Sequence, residues 1–310
     1  MNRSRLADDL DFETWPHDIP IVAHAEGQTV ASILCLTEIY SRSVHIAHVA
    51  RRDEILLIRA AKAKGLPVTC EVAPHHLFLH GENSQFILKA YGQCEGFRHV
   101  KPELQTAADC QALWDNMDII DCIATDHAPH TCEEKSREDN PPPGFAGLQT
   151  VLPLMLTAVH QGKLTIEQLI EKMYTNPKRI FNLPDQGPDT FIEVDMEKKW
   201  IIDDQMLLSK SRWTPFVGMA MRGAVHRVVI RGEVVFVDGQ VLAEQGFGKN
   251  ISELRGENSQ VKRMKPAQVS LAMEMKRSPV QINQARQRCE SCPFFRRKRS
   301  RRSPSIHRYQ

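Results

Sequence analysis

The stretch from residue 118 to residue 130, DIIDCIATDHAPH, constrains this chain more than any other. An apolar run, Ile119-Ile120 and then Cys122-Ile123-Ala124, ends abruptly in Thr125-Asp126-His127-Ala128-Pro129-His130. A short apolar run bounded by polar residues reads as a strand buried on both faces of a parallel sheet. Asp126 then stands just past the carboxyl end of that strand, where α/β barrels place their chemistry. A carboxylate there, beside two imidazoles and with no basic neighbour in sequence, points to a metal ligand or a general base. An Asp capping the next loop is the plain alternative.

The rest of the first half repeats that pattern. The sequence predicts strands at Pro20–Glu26, Ser43–Val49 and Leu66–Val72, and helices near Thr29–Tyr40, from Asp53 to just before Gly65, and near Ala107–Asn116. This alternation implies parallel strands with helices outside. Each strand ends in His, Glu or Asp. His24, His48 and Asp126, on separate strand ends, could converge on a metal. Imidazole and carboxylate are zinc ligands, and an open position would admit a water whose pKa falls towards ~7. A lone histidine on a strand is more often a hydrogen-bonded core residue, so it is the joint placement that carries this reading. His45 and His48 are out of phase, so only one of them can face a barrel centre.

The loop from Thr131 to Gly147 is long and holds Pro141-Pro142-Pro143-Gly144-Phe145; it reads as a functional loop of the carboxyl face or as a flexible surface loop. Leu152–His160 is helical. Thr165-Ile166-Glu167-Gln168 is a capping box that opens a helix to Tyr174, and Asn176-Pro177 is expected to stop it. From Phe191 the period changes, and Val225–Val241 reads as two short strands about Arg231-Gly232 with a turn at Asp238-Gly239. Four segments follow: a ragged N-terminus (1–18), an α/β body (19–190), an antiparallel patch (191–251) and a basic tail (252–310).

Charge supports that division. The whole chain carries a net +2, but residues 252–310 hold 15 Lys+Arg against 4 Asp+Glu, a net of +11 that leaves −9 for residues 1–251. The tail reads as solvated and disordered. Arg296–Arg302 could instead serve nuclear import or nucleic-acid binding, although no aromatic and basic fold surrounds it. No apolar run is long enough to span a membrane and no signal peptide opens the chain, so cytoplasm is the default compartment. The 8 cysteines are scattered, as buried hydrophobes in a reducing compartment would be.

Four ordered motifs carry a family resemblance: Ile21–Glu26, Val44–Arg51, Cys70–Phe78 and Thr125–His130. Together with the 141–145 loop and Trp213-Thr214-Pro215-Phe216, they resemble the dihydroorotases, most nearly those of animal multifunctional pyrimidine-biosynthesis proteins. The resemblance covers about residues 13–250. It implies a zinc amidohydrolase on a (β/α)8 barrel with a small β-sandwich subdomain, interconverting carbamoyl-aspartate and dihydroorotate. A hydroxide bridging two zinc ions attacks the ring amide in that family. His24 and His48 match the ligands of strands five and six. Asp126 matches the strand-eight ligand that also moves the proton to the leaving nitrogen. His130 matches a substrate-binding residue, Pro143 and Gly144 match loop backbone contacts, and Glu71 matches an acidic residue near an extra zinc. Carbamoyl-phosphate synthetase and aspartate carbamoyltransferase domains are the implied partners.

The departures are as informative. No His-x-His pair precedes His24, and the bridging lysine, asparagine and arginine of the early strands have no counterpart. Ala47 stands where animal members carry a cysteine, and Lys101 where they carry an arginine that grips the substrate carboxylate. The expected fold is therefore a partial barrel, strands five to eight, with a sandwich and a disordered basic tail. Its two sheet edges and an apolar inner face would meet water. Little activity is expected of the chain alone, and pairing with a complementary half or a second copy is the non-catalytic alternative.

Overall fold

The first half of the chain lays down a parallel sheet of four strands in the order β1-β2-β3-β4. β1 (Ile21–Ala23) leads through α1 (Gln28–Tyr40) to β2 (Val44–Ile46), and α2 (Arg52–Ala63) leads to β3 (Val68–Val72). An excursion through α3 (Pro74–Phe78), α4 (Gln85–Ala90), a 3-10 turn (Glu95–Arg98) and α5 (Ala107–Asp115) precedes β4 (Cys122–Ile123). This is a computed structural model; it describes residues 12–251 and 306–309. The Arg296–Arg302 run and most of the basic tail lie outside the described residues.

Strand register explains why these runs form a layered sheet. Val44 pairs with Val68, and Ile46 with Cys70. That face packs with Ile55 and Ile58 of α2 and Leu113 of α5, all three at 0% exposure, in one core. Each such side chain contributes about 2 kcal/mol of burial. The opposite face carries Val22, His45 and Thr69, which are mutual register partners, and Glu71. Apart from exposed Val22 it is polar, where an apolar inner face was expected. His45 is fully buried, with Nδ1 2.8 Å from Thr69 Oγ1 and Nε2 3.1 Å from Glu71 Oε2. Phe181 covers the His45 ring edge-on, with centroids 5.2 Å apart.

Beyond β4 come α6 (Cys132–Lys135), α7 (Val151–His160), α8 (Ile166–Ile170), a π turn (Glu171–Thr175) and α9 (Asn176–Ile180). The Thr165–Gln168 capping box forms in both directions. The expected stop at Pro177 does not occur. The wide π turn shifts the hydrogen-bond register, and Pro177 falls in the first turn of α9, where no donor is required. Asn176 Nδ2 and Lys172 Nζ then donate to the Asp121 and Ile120 carbonyls, at 2.9 and 2.6 Å, which anchors this helical segment where the chain enters β4.

The second sheet has five strands in the order β8-β7-β6-β5-β9. They are β5 (Phe191–Ile201), β6 (Ala220–Ile230), β7 (Glu233–Val237), β8 (Gln240–Val241) and β9 (Ile306–Tyr309). Its hairpins turn at Arg231-Gly232 and Asp238-Gly239, all four residues at positive φ, as tight two-residue turns need. The antiparallel strands form a sheet of their own, as expected, within the same compact unit as the parallel sheet. Gly223 of β6 lies so close to α7 that a Cβ there would sit 2.8 Å from Leu156 Cβ. Contrary to expectation, the tail is not wholly outside the fold, since 306–309 pair antiparallel with β5. In the second unit the described residues are 244–251, where the Phe247 amide donates to the Glu244 carbonyl. No helix among the described residues is long and apolar enough to cross a membrane.

Candidate functional site

The carboxyl ends of β1 and β2 bring two imidazoles together. His24 directly follows β1. His48 lies two residues past β2, in a turn pinned by the Ala47 amide on the Ala23 carbonyl (3.0 Å) and the Val49 amide on the Glu71 carbonyl (2.9 Å). The strand is thus shorter than the Ser43–Val49 expected, and His48 owes its direction to the turn rather than to strand phase. Its φ is 35°, and that of Asp126, past β4, is 43°. Non-glycine residues rarely hold that left-handed backbone, which costs on the order of 1 kcal/mol and persists where the surroundings impose it.

His48 Nε2 stands 2.5 Å from His24 Nδ1, with the rings edge-on. Two ring nitrogens so placed cannot both carry a proton. Either one accepts from the other or both lend lone pairs to a common cation. His48 is buried while His24 is exposed, so the pair has a dry side and a wet side. Burial, and then the neighbouring His24 charge, hold the His48 pKa below the usual imidazole value; Asp126 and Glu71 pull the other way. Neutral imidazole is the metal-binding form. His48 Nδ1 is buried with no hydrogen-bond partner among the described residues. Among the described residues, no group of three or more His, Cys, Asp or Glu side chains is gathered closely enough to hold a metal. What the described residues bring together is an imidazole pair, with the Asp126 charge reaching His48. Glu71 is engaged by His45 at 3.1 Å.

The 131–147 loop folds back over the end of β4. The Ala128 amide donates to the Phe145 carbonyl at 3.0 Å, and His127 Nδ1 accepts from the Gly147 amide at 3.1 Å. Gly144 is required here: its φ is +138°, and a Cβ would lie 2.6 Å from the Ala128 carbonyl oxygen and 3.3 Å from His130 Cδ2. Gly144 therefore faces His130 with no room for a side chain between them, and Pro143 is half-buried. The His130 carbonyl accepts from buried Trp213 Nε1 at 2.7 Å. The Gly144 amide donates to the His99 carbonyl at 3.0 Å, which ties the loop to the segment ending in exposed Lys101.

Sequence reasoning passed over two groups. Lys135 has 0% exposure, and its Nζ donates to the carbonyls of His99, Pro142 and Gly144 at 2.7, 2.9 and 3.2 Å. The Thr131–Glu134 capping box that starts its helix was legible, but the burial was not. His75 and His76, quoted above only as part of a motif, are 2% and 1% exposed. Near Lys135 the 3-10 turn makes a closer approach still: a Cβ on Gly96 would fall 1.9 Å from the Lys135 carbonyl oxygen. Backbone cannot yield that far, so Gly96→Ala should destabilise the chain by about 3 kcal/mol or more. Thermal unfolding should show this as a Tm lower by roughly 10 °C; an unchanged Tm would mean the turn is not packed as described.

No family model matches the chain. It is 55% identical over 240 residues to the multifunctional protein CAD of Squalus acanthias, covering 77% of this chain and 10% of that protein. It is 32% identical to the dihydroorotase of Pyrococcus furiosus, covering 77% of this chain and 55% of the archaeal enzyme. Among solved structures, the inactive dihydroorotase-like domain of the Chaetomium thermophilum CAD-like multifunctional protein matches with a TM-score of 0.63 at 30% identity, over 79% of this chain and 66% of that one. The chain thus spans about half the length of the archaeal dihydroorotase.

Proposed function

Taking as premise a likeness to dihydroorotases that extends over 77% of the chain, we propose that this protein carries half of a zinc amidohydrolase site directed at dihydroorotate and carbamoyl-aspartate. The observation that carries the reading is the His24–His48 pair, 2.5 Å between ring nitrogens at adjacent strand ends. His24, His48 and Asp126 would hold zinc, which supplies a hydroxide near neutral pH when bound. Asp126 would take up a proton from water and hand it to the departing ring nitrogen, the role the family resemblance gives it. His130 and the Pro143–Gly144 backbone would hold the substrate, and Lys101 its carboxylate. Lysine offers a point charge there without the two-pronged grip of arginine. Glu71 would have to release His45 before it could join an ion, and Ala47 offers no thiolate beside it.

The chain on its own should be a poor catalyst. Its sequence offers no His-x-His pair and no bridging lysine for a second metal. Zinc-loaded chain should hydrolyse dihydroorotate at least about 1,000-fold more slowly than a full-length dihydroorotase, a loss of roughly 4 kcal/mol in transition-state stabilisation. Turnover comparable to the full-length enzyme would overturn the impairment. Failure to bind either zinc or dihydroorotate would overturn the enzymatic reading altogether. It would favour the second reading, an interaction module pairing with a complementary half, a second copy, or carbamoyl-phosphate synthetase and aspartate carbamoyltransferase domains. The exposed apolar residues Ile19 and Val22 at the β1 edge, 47% and 55% accessible, favour that alternative, as does the inactive fungal relative.

A further inference from the structure

We propose that Lys135 is a positioning residue that sets the 141–144 loop against the His99–Lys101 segment, and thereby fixes the loop backbone offered to substrate. The inference rests on the reading above for the loop's purpose, but not for its geometry. An ammonium group has three protons. Here all three find backbone carbonyls: His99 at 2.7 Å, Pro142 at 2.9 Å and Gly144 at 3.2 Å. One carbonyl belongs to the segment leading to Lys101 and two belong to the loop, so a single side chain gathers both.

The surroundings of this cation are backbone carbonyls and aromatic rings. It lies over the Trp213 and Phe145 rings, 5.4 and 5.8 Å from their centroids. Burial pulls its pKa down to about 8, and the opposing influence comes from the Cys94 thiol rather than from a carboxylate. A surface lysine would find water and a carboxylate at far lower cost. Lys135 instead accepts an unbalanced burial, and what it gains is the arrangement of three carbonyls. The loop has few other ties to the segment, namely the Gly144 amide on the His99 carbonyl at 3.0 Å and His99 Nδ1 beside the Pro141 carbonyl at 2.7 Å. Both meet the segment at His99, the residue whose carbonyl Lys135 also grips.

The test is amide hydrogen exchange on the full chain, without ligand. In Lys135→Met, the Gly144 and Ala128 amides should exchange at least tenfold faster than in wild type, while the Val44 and Val49 amides of the parallel sheet stay within twofold. Should Lys135→Met fail to fold, Lys135→Gln is smaller and polar, and one amide cannot reach three carbonyls. It should show the same loop-confined acceleration. Unchanged Gly144 exchange, or acceleration of loop and sheet by one common factor, would overturn the inference, because the second is what general destabilisation produces. The functional premise is read separately, on wild type. Dihydroorotate at millimolar concentration should slow Gly144 exchange, and no slowing would sink the substrate role of the loop without touching the ligand-free comparison.

Discussion

His48→Ala should weaken zinc binding by at least about 100-fold, since even the removal of groups that merely orient metal ligands costs 10–100-fold. The reason lies in what His48 brings. Its Nε2 meets His24 Nδ1, it is buried while His24 is exposed, and burial keeps it neutral, ready to bind a cation without first losing a proton. Alanine leaves His24 as a single wet imidazole. The control is His45→Ala, three residues earlier. His45 is also buried, but both of its ring nitrogens are taken, by Thr69 and by Glu71. Its loss removes packing and two hydrogen bonds without removing a converging nitrogen, so zinc affinity should fall by less than about tenfold. Competition against a fluorescent zinc chelator reads both variants, and far-ultraviolet circular dichroism confirms that each is folded. Equal losses in the two variants, or no loss in His48→Ala, would remove the metal reading of the pair.

The contrast between these histidines shows what a sequence can carry. The parallel sheet was legible because apolar runs and helical periodicity recur at βα spacing, and β1 to β4 lie within the expected strands. The ends of the strands were less legible. The apolar run through Val49 conceals the point at which His48 leaves the strand for a left-handed turn, and strand phase alone would have aimed it wrongly. Pro177 misled for a related reason: a π turn, which no local pattern announces, changed which residue needed a donor. β9 comes from the basic tail and forms by pairing with β5, a contact between distant residues that alternation within the tail does not encode. Lys135 sits in a short polar stretch, CEEK, that looks like surface helix. The return of the proline loop, the closeness of Gly96 and the Trp213 ring bury it, all contacts made through distant parts of the chain. Inner-face polarity was written in His45, Thr69 and Glu71, but it became readable only once their register was fixed.

Acid should unfold this chain earlier than its carboxylates alone would dictate. His75 and His76 are 2% and 1% exposed, their rings 4.4 Å apart. His75 Nε2 and both nitrogens of His76 have no hydrogen-bond partner among the described residues. Burial, and then the His48 charge, push the His75 pKa down to about 3, and His76 falls well below 6.5 for the same leading reason. The sign follows from linkage. In the folded chain these rings stay neutral, whereas the unfolded chain takes up protons once pH drops below ~6.5, so acid draws the equilibrium towards unfolding. Stability is fully present above pH 6.5 and is lost progressively down to about pH 3. For His75 alone the whole window is worth on the order of 5 kcal/mol, comparable with the entire stability of many domains. Structural carboxylates such as Asp53 and Asp109, with pKa values held below 3.8 by hydrogen bonds from Arg51 and from Arg52 and Thr106, lose their contribution only as pH falls through 3.8 and below. The decline between pH 6.5 and 4 therefore belongs to the histidines. His75→Phe keeps a ring against Phe145, whose centroid lies 5.2 Å away, and removes the proton acceptor. Its acid midpoint, followed by circular dichroism, should lie at least ~0.5 pH unit below that of wild type. A midpoint that does not move would mean that His75 finds a proton or a water in the folded chain and is not the source of acid lability.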